Sequence, residues 1–160
     1  MSVYKDCSIV YNGVNTFIWR FCPVIVSTKG RYALRVMLDL AEHPTDSYIP
    51  LQEIADRQNI SKEYLNSILK VLVAHQQLQS LRGKGGGYRL CMPPEEYRVG
   101  TILKIVEGDL SPVSCSQQAC PNIASCRSFG MWQELDQVIS DYLNGVHLSD
   151  FLEGGKFYGK

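Results

Sequence analysis

Apolar positions along this chain fall into helical stripes, interrupted by one short alternating stretch. Tyr32, Ala33, Val36, Met37 and Leu40 recur at helical spacing within Ser27 to His43, and Pro44 follows, so a helix is expected there. Leu51, Ile54 and Ala55 mark a second, short helix over Leu51 to Gln58. Leu65, Ile68, Leu69, Leu72 and Val73 make a third stripe, with Ser61 a fitting N-cap and Glu63 in the first turn, where the helix dipole favours negative charge. Only Asn59-Ile60 leads into Ser61, the close succession of a helix-turn-helix. After His75 the period changes. Leu78 to Leu81 and Tyr88 to Cys91 read as strands. Arg82-Gly83-Lys84-Gly85-Gly86-Gly87 joins them in a turn that glycine permits, because it accepts positive φ at little steric cost. Pro93-Pro94 closes the hairpin, and Val99 to Val106 reads as a helix with Ile102, Leu103 and Val106 inward. Gly108 to Ser125 reads as a loop. Ser128 to Asn144 is the longest later helix; Trp132, Leu135, Ile139, Tyr142 and, past Gly145, Val146 alternate spacings of three and four, a short heptad-like seam.

The pattern predicts a mainly α fold with a small β-hairpin wing (α+β). A winged helix-turn-helix occupies residues 27–93. A linking helix and loop span 94–127, a dimerisation helix with one last turn spans 128–153, and 154–160 is a fraying tail. The plainer alternatives are an ordinary helix and hairpin in a small α+β domain, and an amphipathic last helix that packs only on its own domain. Residues 1–26 show no clean period and are expected to lie outside the fold, with a true start near Val24 or Val26. Arg20 and Pro23 break their apolar run, which argues against a membrane span, and no small-residue cleavage site argues for a secretory signal.

Charge changes the picture. The chain carries 16 basic and 16 acidic residues, so its net charge predicts no partner. Between Arg57 and Arg89, however, Arg57, Lys62, Lys70, Arg82, Lys84 and Arg89 face Glu63 alone, a surplus of five positive charges on a compensated chain. That is the footprint of a phosphate-binding face rather than of a merely solvated one. Ser61, Glu63, Asn66 and Ser67 are expected to face the major groove from the start of the third helix, with Asn66 able to read adenine. Arg82, Lys84 and the glycines Gly85, Gly86 and Gly87 are expected to meet phosphates or the minor groove.

Six cysteines are many for 160 residues. Cys115, Cys120 and Cys126 cluster in a loop with Pro112, Pro121 and Asn122, unlike a secreted disulfide scaffold. In the reducing cytoplasm expected here, clustered thiols suggest an iron–sulfur or zinc site, or reduced thiols under a loop. Three thiols leave one ligand open; His147 is one candidate but lies far along the chain, and Asp109 and Glu107 are nearer. Cys91, at the end of a wing strand, is expected to pack as a small hydrophobe. The glycine run lacks the Gly-Lys-Ser/Thr ending of a phosphate loop and opens no helix, and no paired carboxylates or nucleophile–base set argues for an enzyme.

Four landmarks together resemble one family: Ser27-Thr28-Lys29-Gly30-Arg31-Tyr32-Ala33-Leu34, Ile60-Ser61-x-x-Tyr64-Leu65, Arg82-Gly83-x-Gly85-Gly86-Gly87-Tyr88, and the triple cysteine followed by Trp132. Over about Ser27 to Leu152 the chain is similar to the small bacterial winged-helix regulators that include the iron–sulfur assembly repressor IscR, the nitric-oxide sensor NsrR and the cysteine-metabolism repressor CymR. The resemblance implies a homodimeric repressor on a palindromic double-stranded DNA operator. It adds Lys29, Tyr32, Lys62, Tyr64 and Lys70 to the expected DNA contacts. It also implies an iron–sulfur cluster, in the first instance 2Fe–2S, held by Cys115, Cys120 and Cys126. Assembly-repressor members place a histidine three residues after the third cysteine, where this chain has Phe129. Others take an aspartate near the first helix of the partner chain, where Arg31 and Tyr32 stand here. The fourth ligand and the cluster type stay open. A cluster-free regulator of cysteine metabolism, controlled by a partner protein or by thiol oxidation, is the alternative.

Overall fold

The computed structural model describes residues 26–44, 47–113 and 122–159. Ser27 opens the first helix, α1 (Thr28–Glu42), as its N-cap, with Oγ accepting the Lys29 N–H at 3.0 Å. A second acceptor reaches the same end from far along the chain. Glu107 Oε1 accepts from Ser27 N at 2.9 Å, Ser27 Oγ at 2.7 Å and Gly30 N at 2.8 Å. A carboxylate on the free N–H groups of a helix start is favoured by both hydrogen bonding and the helix dipole. Gly30 is what lets it approach, since a Cβ there would collide with that oxygen.

Helix α2 (Leu51–Gln58) ends at Asn59, whose left-handed backbone (φ 52°) turns the chain into Ser61. Ser61 caps α3 (Lys62–Ala74) through Tyr64 N. Strands β1 (Leu78–Leu81) and β2 (Gly87–Leu90) pair antiparallel, with Leu78 opposite Leu90 and Leu81 opposite Gly87. The second strand therefore runs one residue earlier than the sequence suggested, because the Leu81–Gly87 pair closes the turn. Ile49 adds a bridge on the other edge of β2, exchanging bonds of 2.9 and 2.8 Å with Tyr88. Helix α4 (Val99–Glu107) and helix α5 (Phe129–Asn144) follow. Short 3-10 turns lie at Pro94–Glu96, at Ile123–Ser125 within the expected loop, and at Leu148–Phe151.

The apolar stripes meet in one core. Val36, Met37 and Leu40 of α1, Ile54 of α2, Leu65, Ile68, Leu69 and Leu72 of α3, Leu78 of β1 and Ile102 and Val106 of α4 are all buried. Burying each such side chain contributes roughly 1.5–3 kcal/mol. Leu148 joins the same core, so after α5 the chain returns to the half that holds α1, α2 and α3. A smaller cluster of Val99, Leu103, Leu110 and Val146 lies beside it, and Val26 packs against that cluster.

Tyr97, buried like an aliphatic residue, is a polar joint in this core. Its hydroxyl donates to Gln77 O at 2.8 Å and accepts from Cys91 N at 2.7 Å and Met92 N at 3.0 Å. It thereby ties the exit of α3 to the exit of the hairpin. No helix among the described residues is long and apolar enough to cross a membrane.

Candidate nucleic-acid interface

Helix α3 buries Leu65, Ile68, Leu69 and Leu72 and leaves the opposite side outward. Lys62, Asn66 and Lys70, spaced four apart, form one row on that side. Ser61, Lys62, Glu63, Tyr64, Ser67 and Lys70 are exposed, as are Arg82 and Lys84 in the turn of the hairpin. A groove of about 470 Å³ runs between helix and wing, lined among others by Asn66, Lys70, Arg82 and Tyr88. None of Lys62, Lys70, Arg82 and Lys84 has a carboxylate partner among the described residues. Lys70 and Arg82 line that groove together, and all four cations are exposed, as neutralising phosphates would require.

Other cations do not belong to that set. Arg57 Nε and Nη2 donate to Asp39 at 2.9 and 2.7 Å, and its Nη1 also bonds Glu53. Arg57 therefore drops out of the positive surplus counted from the sequence, because its charge is spent inside the fold. Arg89 lies over the Tyr48 ring at 4.7 Å and donates to Gln79. Lys29 Nζ donates to Val106 O at 3.2 Å, which turns it toward the end of α4. The expected phosphate contact by Lys29 thus has a competing partner within the chain. Tyr32 meets Tyr64 edge to face at 5.9 Å, with Arg35 over the Tyr32 ring. This pair packs α1 against the start of α3.

The wing glycines divide into two kinds. Gly83 and Gly85 have positive φ (93° and 76°) and make the turn. A Cβ on Gly86 would strike the Leu81 carbonyl, and one on Gly87 the Ile49 carbonyl. The smallness of Gly86 and Gly87 is therefore required by close packing within the fold itself.

Asn66, Ser67 and Ser61 each carry an internal bond. Ser67 Oγ donates to Tyr64 O at 2.6 Å, and Asn66 Oδ1 accepts from the Tyr88 hydroxyl at 3.3 Å.

Of the three clustered cysteines, Cys115 and Cys120 lie outside the described residues. Cys126 sits just ahead of α5, its Sγ 3.5 Å from Ser128 Oγ, and the Ser128 hydrogen bonds hold its thiol below the usual range. A stabilised thiolate suits a soft metal or an iron–sulfur ligand. The candidate fourth ligands fit less well. Glu107 is committed to the start of α1, the His147 side chain caps the Leu148–Phe151 turn, and Asp109 Oδ1 accepts from Ser111 N at 3.0 Å. Phe129 begins α5 and offers no donor. Among the described residues Cys126 is therefore the one member of the expected thiol set that can be weighed as a ligand, and no group of three such donors is gathered there. Cys91 is half-buried, and burial pushes its thiol up, as expected of a packing residue.

Helix α5 buries none of its residues. Met131, Leu135, Val138 and Tyr142, at spacings of four, three and four, are exposed by 54%, 39%, 63% and 58%. Trp132 and Ile139 are half-buried. The exposed apolar stripe thus shares Leu135 and Tyr142 with the expected Trp132–Leu135–Ile139–Tyr142 seam and adds Met131 and Val138.

Residues 26–154 match the Rrf2 family, described as iron-dependent transcriptional regulators. The chain belongs to the Rrf2 family. It is 34% identical over 128 residues to the HTH-type transcriptional regulator IscR of Aliivibrio salmonicida, covering 79% of this chain and 76% of that one. Its fold is similar to that of CymR, the global cysteine regulator of B. subtilis, with a TM-score of 0.65 and 31% identity over 79% of this chain and 94% of that one. It is also similar to IscR of T. potens, with a TM-score of 0.63 and 32% identity over 81% and 86%. This Rrf2 protein is a DNA-binding transcription regulator with a winged-helix fold, and not an enzyme.

Proposed function

We propose that this Rrf2 regulator binds a palindromic operator as a homodimer and represses transcription. Each copy lays the start of α3 in the major groove, with Ser61, Glu63, Tyr64, Asn66 and Ser67 toward base edges. Lys62, Lys70, Arg82 and Lys84 neutralise phosphates. The observation that carries this reading is the set of four unpaired cations shared by α3 and the wing. The DNA-binding unit is residues 27–93. The Met131–Leu135–Val138–Tyr142 stripe of α5 joins the two copies, since an exposed heptad-like stripe is the geometry of a helix–helix seam.

Cys115, Cys120 and Cys126 hold an iron–sulfur cluster that sets DNA affinity. When bound, the cluster supplies iron that responds to oxygen, nitric oxide or cluster supply. The chain's own part is to hold three thiolates, Cys126 among them through Ser128. A coupling of about 1–3 kcal/mol between loop and DNA face changes affinity several-fold to about a hundred-fold. The lowered thiol of Cys126 also supports a second reading, in which oxidation of the thiols themselves is the signal.

Anaerobic purification with iron and sulfide analysis separates the two. A brown protein with visible absorbance, whose DNA affinity changes when all three cysteines become alanine, supports the cluster. A colourless protein whose DNA affinity responds to peroxide supports the thiols.

A further inference from the structure

Helix α4 packs against α5, and Gly100 sets how closely. A Cβ there would strike Asn144 Oδ1 on α5, so the Asn144 amide closes onto the α4 backbone. Beside this contact lies a cavity of about 240 Å³, walled by α4, α5 and the stretch 109–111 that leaves α4. Its lining carries charge of both signs. Lys104 of α4 is exposed and donates to Ser140 Oγ at a long 3.4 Å, with no carboxylate partner among the described residues. Ser140 Oγ also accepts from Asn144 Nδ2 at 3.3 Å, so what Ser140 has left to offer is its hydroxyl proton. One turn earlier on α5, Asp136 is half-buried. It has neither a cation nor a hydrogen-bond partner among the described residues. Ile139 and Leu143 supply apolar surface to the same lining.

A carboxylate drawn out of water without a partner is costly, so a half-buried one that the fold leaves unpaired is a place for a cation. An unpaired ammonium with a hydroxyl donor beside it is a place for an anion. Lys104 and Asp136 line one cavity but stand too far apart to pair with each other. A ligand that satisfies both must carry both charges a few atoms apart. A cavity below the roughly 300 Å³ of ordinary ligand pockets admits only a small one. We propose that this cavity binds a small α-amino acid, with its carboxylate on Lys104 and Ser140, its ammonium on Asp136 and its side chain against Ile139 and Leu143. Such binding is independent of how α3 meets DNA. Because residues 109–111 form one wall, an occupant braces the chain where it departs toward Cys115.

Isothermal titration calorimetry of the full-length protein with glycine, L-alanine, L-serine and L-valine tests this, with acetate and methylammonium as probes that carry one charge each. At least one amino acid is expected to bind about tenfold or more tightly than either probe. Asp136→Asn, nearly unchanged in shape, is expected to bring that amino acid down to the affinity of acetate. Lys104→Met, at an exposed side chain, is expected to bring it down to that of methylammonium. Circular dichroism melts check that both variants fold. Acetate or methylammonium binding as tightly as every amino acid overturns the proposal. So does the absence of both saturable heat and a raised melting midpoint with all the amino acids at millimolar concentration. Unchanged affinity in folded Asp136→Asn and Lys104→Met overturns it too, by moving the binding to another place.

Discussion

Asp39, 1% exposed on α1, accepts both Nε and Nη2 of Arg57 from α2, a two-pronged grip of 2.9 and 2.7 Å. Gln58 Nε2 adds a third bond at 2.8 Å. The pair fixes the angle between the first two helices, and so the platform on which α3 rests. It also means that one of the most basic-looking positions in the segment has a structural task.

Removing Asp39 leaves Arg57, a quarter exposed and still bonded to Glu53, without its buried partner. Asp39→Ala is expected to cost about 1–3 kcal/mol, read by chemical denaturation. Burial raises the Asp39 pKa, but the hydrogen bonds from Arg57 and Gln58 and the charge of Arg57 outweigh it, so the carboxyl titrates below its ordinary value of 3.8. A carboxylate held low in the folded state stabilises the protein above the unfolded value. That contribution is lost as pH falls through the folded one. Wild-type stability should therefore drop steeply below about pH 4. Asp39→Asn, less stable at neutral pH, should show a shallower drop there. Equal slopes for the two proteins would show that this pair does not couple folding to protons.

Arg82 and Lys84 are exposed at the wing. Replacing both with alanine should weaken binding to every duplex, and lower the slope of log affinity against log salt by roughly 1.8, two phosphates' worth. Fluorescence anisotropy across a salt series measures this. Unchanged affinity at low and high salt would remove the wing from the interface.

Tyr97→Phe keeps the ring and removes the hydroxyl that serves Gln77, Cys91 and Met92. Three backbone groups lose their partner, and the expected cost is about 2–4 kcal/mol. Hydrogen exchange should quicken at Cys91 and Met92 first. A loss of stability without that local signature would place the effect elsewhere.

On α5, Val138→Asp puts a charge into the proposed seam between copies. It should weaken self-association more than about tenfold. Sedimentation velocity should then show a shift to the monomer with the helical content intact. A variant that remains dimeric would move the contact off this stripe.

Much of the fold was legible because its elements are regular. The α3 stripe, the Ser61 cap and the glycine turn each carry a local signal, and each stands where the pattern placed it. Long-range polar contacts were not legible. Glu107 meets Ser27 across 80 residues, and neither residue's neighbours announce the other. Charge counting credited Arg57 to the DNA face; Glu53, four residues before it, was the one visible hint that it was occupied. For α5, a period of three and four gives a stripe broad enough to hold both Trp132 and Val138. Which edge of it faces water depends on α4, and only the folded chain shows that. Of the expected cysteine site only Cys126 lies within the described residues.

Glu107 is the last turn of α4, and the chain to the three thiols departs one residue later, at Gly108. Its carboxylate is latched onto the leading end of α1, the same helix whose Tyr32 touches Tyr64 on α3. A tug on that departing chain has a short mechanical route to the helix proposed to meet DNA: one carboxylate, one helix, one aromatic contact. Cutting the latch with Glu107→Gln or Glu107→Ala would leave the thiols and the reading head in place and unhitch one from the other.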